Sequence, residues 1–371
     1  MTLPEPRMGE SSEIHLYPKG CVETVLGDPE KSLWSSIKNL SALGIANDIL
    51  YKAHGVTNKK DRTVIAKNLK IYIQQASEFY EAAQLTKPNT APLFYYYSFL
   101  NLGKALCEIK NPLFHMKRES RKHGIAWKPP LVDMKTVNVY LTERGMWHKM
   151  WEAVVNYHCA AANPTELQIK DLFALCPEIS IEYEETFREP SQTIEIDPEV
   201  LVTTNKDKVW IKLSVYRQDL EKLRFSIIKF IKLINSGGCI YHQVKSRDND
   251  VWTFEFEQPK DYVANTSSSL QLLKPEIDQL NLFTALDKGE MTYAISIQSR
   301  LPFYFPQLMI LYTLVFWLGS LVRYDPHSVI KLQESKYWML IDGFMNESRI
   351  WLLELFEWEF YQCETILRSA R

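Results

Sequence analysis

From Asp61 to Thr86, the apolar residues Ile65, Leu69, Tyr72, Ala76, Phe79 and Ala83 recur at alternating four- and three-residue intervals. That spacing lays one stripe along a helix of about seven turns. Lys67, Lys70, Gln74, Gln75 and Glu81 occupy the other faces, and Lys87-Pro88-Asn89 ends the run, since proline disfavours a helical residue before it. A second run from Pro92 to Ile109 repeats the spacing with Tyr95, Phe99, Leu102, Leu106 and Ile109. Two helices joined by so short a break are expected to pack as an antiparallel hairpin. The small residues Ser98, Gly103 and Ala105 would let the two backbones approach.

Upstream, Asp28-Pro29 reads as an N-cap with proline in the first turn, opening a helix to Leu40. A further short helix stops near His54-Gly55. Downstream the pattern is lost from Lys110 to Lys135, where Pro112, Gly124, Pro129 and Pro130 predict a long loop. A short strand at Val137–Leu141 and helices at Gly145–Tyr157 and Pro164–Leu175 follow. The middle third changes period. Thr193–Ile196, Val209–Val215, Cys239–Val244 and Val251–Phe256 alternate or are β-branched, with a helix predicted over Gln218–Asn235. After a strand at Thr292–Ile297, helices return at Pro306–Val322 and Tyr337–Leu367.

These elements predict a mainly α protein with an α+β insert, an antiparallel helical bundle plus a small mixed sheet. The expected divisions are a flexible lead-in over 1–27, a helical region over 28–178, the insert over 179–300, and a C-terminal helical region over 301–371 that packs on the first bundle. An apolar fraction of 46% in 371 residues, with 12% aromatic, supplies enough side chains for large interiors. The formal net charge of −2 gives no global field toward nucleic acid or acidic membranes, so any anionic partner must be held locally. Six scattered cysteines with no CxxC argue against a zinc knuckle or a disulfide framework, which points to reduced cytoplasm. The N-terminus lacks the apolar segment of a secretory signal. Met309–Val322 is apolar but shorter than the roughly 20 residues a bilayer requires, so a buried core helix is expected and no membrane partner. GxxxxGK[ST], GxGxxG and HExxH are all absent from the sequence, and neither a cofactor nor a metal is expected.

The chemistry concentrates in residues 110–135. Lys110, Lys117, Arg118, Arg121, Lys122, Lys128 and Lys135 face only Glu119 and Asp133, and His115, His123 and Trp127 lie among them. Such a segment suits phosphate contact, with RNA as the polymer and Lys117, Arg121, Lys122, Lys128 and Trp127 as its binding residues. Arg118 and His123 are separated by four residues, a spacing that some helical ribonucleases use. An imidazole can move the 2′-hydroxyl proton while a guanidinium stabilises the phosphorane, so the two are candidate catalytic residues.

The segment Ala91-Pro92-Leu93-Phe94-Tyr95-Tyr96-Tyr97-Ser98-Phe99-Leu100-Asn101-Leu102-Gly103-Lys104-Ala105-Leu106 resembles the YaaC-like family of bacterial proteins. So do His123-Gly124-Ile125 and Gly319-Ser320-Leu321-Val322-Arg323-Tyr324-Asp325-Pro326. These motifs imply a shared scaffold over about residues 30–365 and no particular activity. The Tyr95-Tyr96…Ala105-Leu106 helix before a His-Gly loop is also similar to the HEPN superfamily of helical bundles. That likeness implies a dimerising or partner-binding module, in a defence or stress setting, that is either a non-catalytic helper or a metal-independent ribonuclease. The partner expected is a second copy or a protein from the same locus.

Overall fold

A computed structural model describes residues 3–13, 21–26, 28–131, 133–155, 165–236, 238, 240–263, 266–287, 290–298, 300–301 and 304–369. The chain enters with strands β1 (Glu10–Glu13) and β2 (Cys21–Leu26). Four helices follow: α1 (Pro29–Asn39), α2 (Leu43–Lys52), α3 (Lys59–Gln84) and α4 (Ala91–Lys110). Next come β3 (Ile125–Trp127), β4 (Asn138–Leu141), α5 (Met146–Val155), β5 (Thr165–Gln168), α6 (Ile169–Phe173) and α7 (Ser180–Phe187). The strand-rich middle holds β6 (Thr193–Val202), β7 (Lys208–Tyr216), α8 (Arg217–Lys222), α9 (Ile227–Ile234), β8 (Tyr241–Val244) and β9 (Val251–Phe256). It closes with β10 (Lys260–Asp261), α10 (Thr266–Leu280), β11 (Leu282–Asp287) and β12 (Glu290–Ser296). The chain ends in α11 (Gln307–Tyr324), α12 (Pro326–Gln333), α13 (Trp338–Tyr361) and β13 (Glu364–Ser369). It is therefore mainly α with an antiparallel sheet.

Two compact units result. One gathers residues 1–25, 190–297 and 363–371; the other gathers 26–189 and 298–362. In the sheet unit the strand order is β11-β12-β6-β7-β9-β8, with β1 beside β6 and β10 beside β7. Alternation sends Ile196, Val200, Ile211, Leu213, Phe254 and Phe256 into a core that also holds Phe230 and Ile234 of α9 and Leu273 and Ile277 of α10. The segment expected as a flexible lead-in supplies an edge strand, with Ser11 paired to Leu201 and Ser12 to Val200. The single helix expected over Gln218–Asn235 is two. The chain breaks at Arg224, whose φ of 50° is left-handed, and Ser226 then caps α9 by accepting from the Lys229 N–H. Of the expected strand at Cys239–Val244, Cys239 lies outside the described residues.

In the helical unit α3 and α4 form the expected hairpin, joined at its centre by the Ser98 hydroxyl donating to the Ala76 carbonyl (2.8 Å). The buried arc of α3 is turned by one residue from the predicted stripe. Ile73 and Tyr80 are buried where Tyr72 and Phe79 were expected, because α2 also packs on α3 and widens the covered face. An aromatic column runs from Trp34 through Tyr80, Tyr95 and Phe99 to Phe356, with ring centroids 5.1–6.4 Å apart. Gly103 serves α5 rather than the hairpin: a Cβ there would lie 2.4 Å from the Met150 sulfur. The helix expected over Pro164–Leu175 opens instead as β5, which pairs with β4; Tyr157 and Pro164 lie outside the described residues. The helix expected to run on to Leu367 stops at Tyr361, where Gln362 takes a left-handed φ of 51°. Among the described residues, α11 alone is long and apolar enough to cross a membrane, and it is 83% buried within the protein.

Gly319 carries the contact between α11 and α4. A Cβ at that position would lie 2.9 Å from the Tyr96 Cβ and 3.3 Å from the Pro92 carbonyl oxygen, neither of which can swing aside. Gly319→Ala is therefore expected to force the helices apart and to cost about 1–3 kcal/mol, measured as a lower urea midpoint. A variant as stable as the parent would refute this packing.

Candidate functional site

The basic segment after α4 is more ordered than a loop. Leu113 takes a left-handed φ of 67°, and two 3-10 turns, Phe114–Met116 and Arg118–Arg121, lead through His123-Gly124 into β3. Its organiser is Glu108, which is fully buried in the last turn of α4. The carboxylate accepts from the Leu113 N–H (3.0 Å), the His115 N–H (2.9 Å), the His115 ring (3.0 Å) and the Asn68 amide (2.8 Å). The far end is docked on the start of α5, where the Met146 and Trp147 N–H groups donate to the Lys122 and His123 carbonyls. Gly145 makes that docking feasible, since its Cβ would sit 2.3 Å from the Gly124 nitrogen.

The two residues expected as a catalytic pair have different surroundings. Arg118 lines an open cleft of about 390 Å³ with Glu119, Lys122, Thr142, Glu143 and Arg144. His123 is half-buried against α4 and α11. Its Nδ1 and the Tyr96 hydroxyl share a hydrogen bond, and its ring stands 6.0 Å from that of Phe316. Burial pushes its pKa below the usual histidine value, and the positive charges of Arg323 and Lys104 push the same way. The imidazole is thus neutral at pH 7 beside two cations.

Among the other residues proposed for nucleic acid, Lys122 joins Arg118 in the cleft, while Lys117 donates to the Asn111 side chain (2.9 Å). Arg121 is exposed, and Lys128 lies over the Tyr140 ring at 4.9 Å. Trp127 is buried, because the alternation of β3 turns Ile125 and Trp127 inward, so its ring is not offered for base stacking.

Sequence reasoning missed Arg144, Tyr96, Lys104 and the Tyr97–Arg323 contact. Arg323 donates from Nη1 to the Tyr97 hydroxyl (3.0 Å) and stacks on Tyr324 at 5.0 Å. Next to it, Asp325 caps α12 and accepts from the Leu131 N–H (2.9 Å). The signal lay in the two quoted motifs: their polar members, Tyr96, Tyr97, Lys104, His123 and Arg323, share one neighbourhood. Among the described residues no group of three His, Cys, Asp or Glu side chains could hold a metal ion.

The family described as YaaC-like Protein matches residues 45–359, most of the chain, and the chain belongs to that family. No curated protein and no solved structure matches it.

Proposed function

We propose that this chain is a HEPN-like, non-catalytic binding and assembly module of a bacterial cytoplasmic system serving defence or stress. It acts as a homo-oligomer or with a protein from the same locus, and contacts RNA through its basic segment. The observation that carries the RNA contact is the cleft where Arg118, Lys122 and Arg144 outnumber Glu119 and Glu143, in a segment anchored by Glu108. Converging guanidinium and ammonium groups favour phosphate oxygens. The commitment of His123 to Tyr96, while Arg118 lines the cleft, supports the non-catalytic reading, because proton transfer and phosphorane stabilisation need both groups on one phosphate.

Fluorescence anisotropy with a single-stranded RNA tests this. Replacing Arg118, Lys122 and Arg144 together by alanine is expected to weaken binding and to reduce the log–log salt slope by about 2, the value for three lost phosphate contacts. An unchanged affinity and slope would remove the RNA contact. Light scattering tests assembly: a strict monomer that captures no locus-encoded partner overturns it. One observation favours ribonuclease activity as a second reading, namely the neutral His123 beside Arg323 and Lys104. RNA cleavage in EDTA that His123→Ala abolishes would replace the non-catalytic reading with that one.

A further inference from the structure

The sheet unit carries a second cleft, of about 460 Å³, on the sheet face opposite its helix-covered core. Two adjacent rungs of side chains cross its floor. In the first, Glu199, Lys212 and Glu255 stand directly opposite one another on β6, β7 and β9. That rung is satisfied: Lys212 pairs with Glu199, Ser11 donates to Glu199, and the Arg7 N–H donates to the fully buried Glu255 (3.0 Å).

The second rung, Asp197, Ser214 and Thr253, stands in the same register one step along the strands. Among the described residues it makes no hydrogen bond and no ion pair. Thr253 is 7% exposed and lines the cleft, while Ser214 is half-buried and Asp197 is exposed. Polar groups of buried residues are nearly always paired, so the unpartnered Thr253 beside a closed rung marks a place for a ligand, with Ser214 and Asp197 leading outward from it. Arg247, which also has no partner among the described residues, lines the same cleft.

We propose that this cleft binds a small zwitterion of amino-acid type, an amino acid or short peptide. Its ammonium is held by the Asp197 carboxylate and the Ser214 and Thr253 hydroxyls, and its carboxylate by Arg247. A carboxylate gains more from a formal positive charge than from a neutral donor, which selects an ammonium over a sugar hydroxyl. The rung is two strand spacings wide, about 10 Å, and the cleft volume falls within the range of small-molecule sites, which leaves room for a side chain. Burial and the neighbouring Glu199 raise the Asp197 pKa, and the positive charge of Lys212 opposes them.

Isothermal titration of the full chain with the standard amino acids and a dipeptide set, each also as its carboxamide, tests the assignment. At least one free acid is expected to bind saturably. Asp197→Asn should weaken it about tenfold or more, and Thr253→Val by a smaller factor. Arg247→Ala should erase the preference for the acid over the carboxamide. Ser214→Ala, the mildest change, gives the same readout if Asp197→Asn alters the circular dichroism spectrum. No saturable binding by any member, or binding that neither rung variant weakens, would overturn the proposal.

Discussion

Glu108→Ala is expected to lower the stability of the helical unit by about 3–5 kcal/mol and to release the backbone around Leu113. The carboxylate sits at zero exposure and receives four donors, two of them backbone N–H groups of the segment it organises. Truncation leaves those donors facing a void. Without the Glu108 bond to its N–H, Leu113 keeps only its carbonyl bond from the Met116 N–H to hold a left-handed conformation that a branched side chain disfavours by about 1–3 kcal/mol. Glu108→Gln keeps one acceptor oxygen and nearly the same volume, and is expected to cost about 1–3 kcal/mol. Urea unfolding measures the difference, and amide exchange at Leu113 and His115 locates it. If Glu108→Ala lost less than about 1 kcal/mol, or left those amides protected, the carboxylate would not be the organiser described above.

The same residue shows why the site was only half legible in the sequence. The basic run of residues 110–135 is plain, but the group that orders it is a glutamate in the apolar α4 pattern, with nothing local to mark it as buried. The strands β6, β7 and β9 were legible because alternation in sequence becomes alternation between two faces. By contrast, β1 has the sequence Glu-Ser-Ser-Glu and no apolar alternation; its place comes from backbone pairing with β6, to which side-chain pattern is blind. Tyr72 and Phe79 were chosen over Ile73 and Tyr80 because adjacent stripes on one helix differ by 100°, and only the tertiary neighbours of α3 decide which is covered.

The partners of His123 were out of reach for a related reason. Tyr97 and Arg323 are 226 positions apart, so their contact exists only once α4 and α11 have packed across Gly319. Spacing between Arg118 and His123 is a local property, and in this segment it predicts neither side chain's direction. A 3-10 turn carries Arg118 to one surface, while the docking of His123 on α5 commits its ring to Tyr96.

Glu178 supplies a pH-dependent prediction whose sign is set by burial. It lies just before α7, and burial pushes its carboxyl up to about 8 from an ordinary 4.5, with Glu347 adding to the push and Gln307 opposing it. In the folded chain the group therefore keeps its proton over a range in which the unfolded chain has released it. Its contribution to stability is fully present below about pH 4.5 and is lost as pH rises to about 8, at about 1.4 kcal/mol per pH unit at most. Glu178→Gln should remove this loss, so the variant's advantage over the parent should grow from pH 5 to pH 9. His123 and His148 run oppositely: burial lowers both, so their contribution is present above about 6.5 and fades as pH falls through the lowered values. Comparing Glu178→Gln with its parent at each pH cancels the two histidines, since both chains carry them. Urea unfolding at pH 5, 7 and 9 is the measurement, and a stability difference that stays constant across the three would mean that Glu178 is ionised in the folded chain throughout.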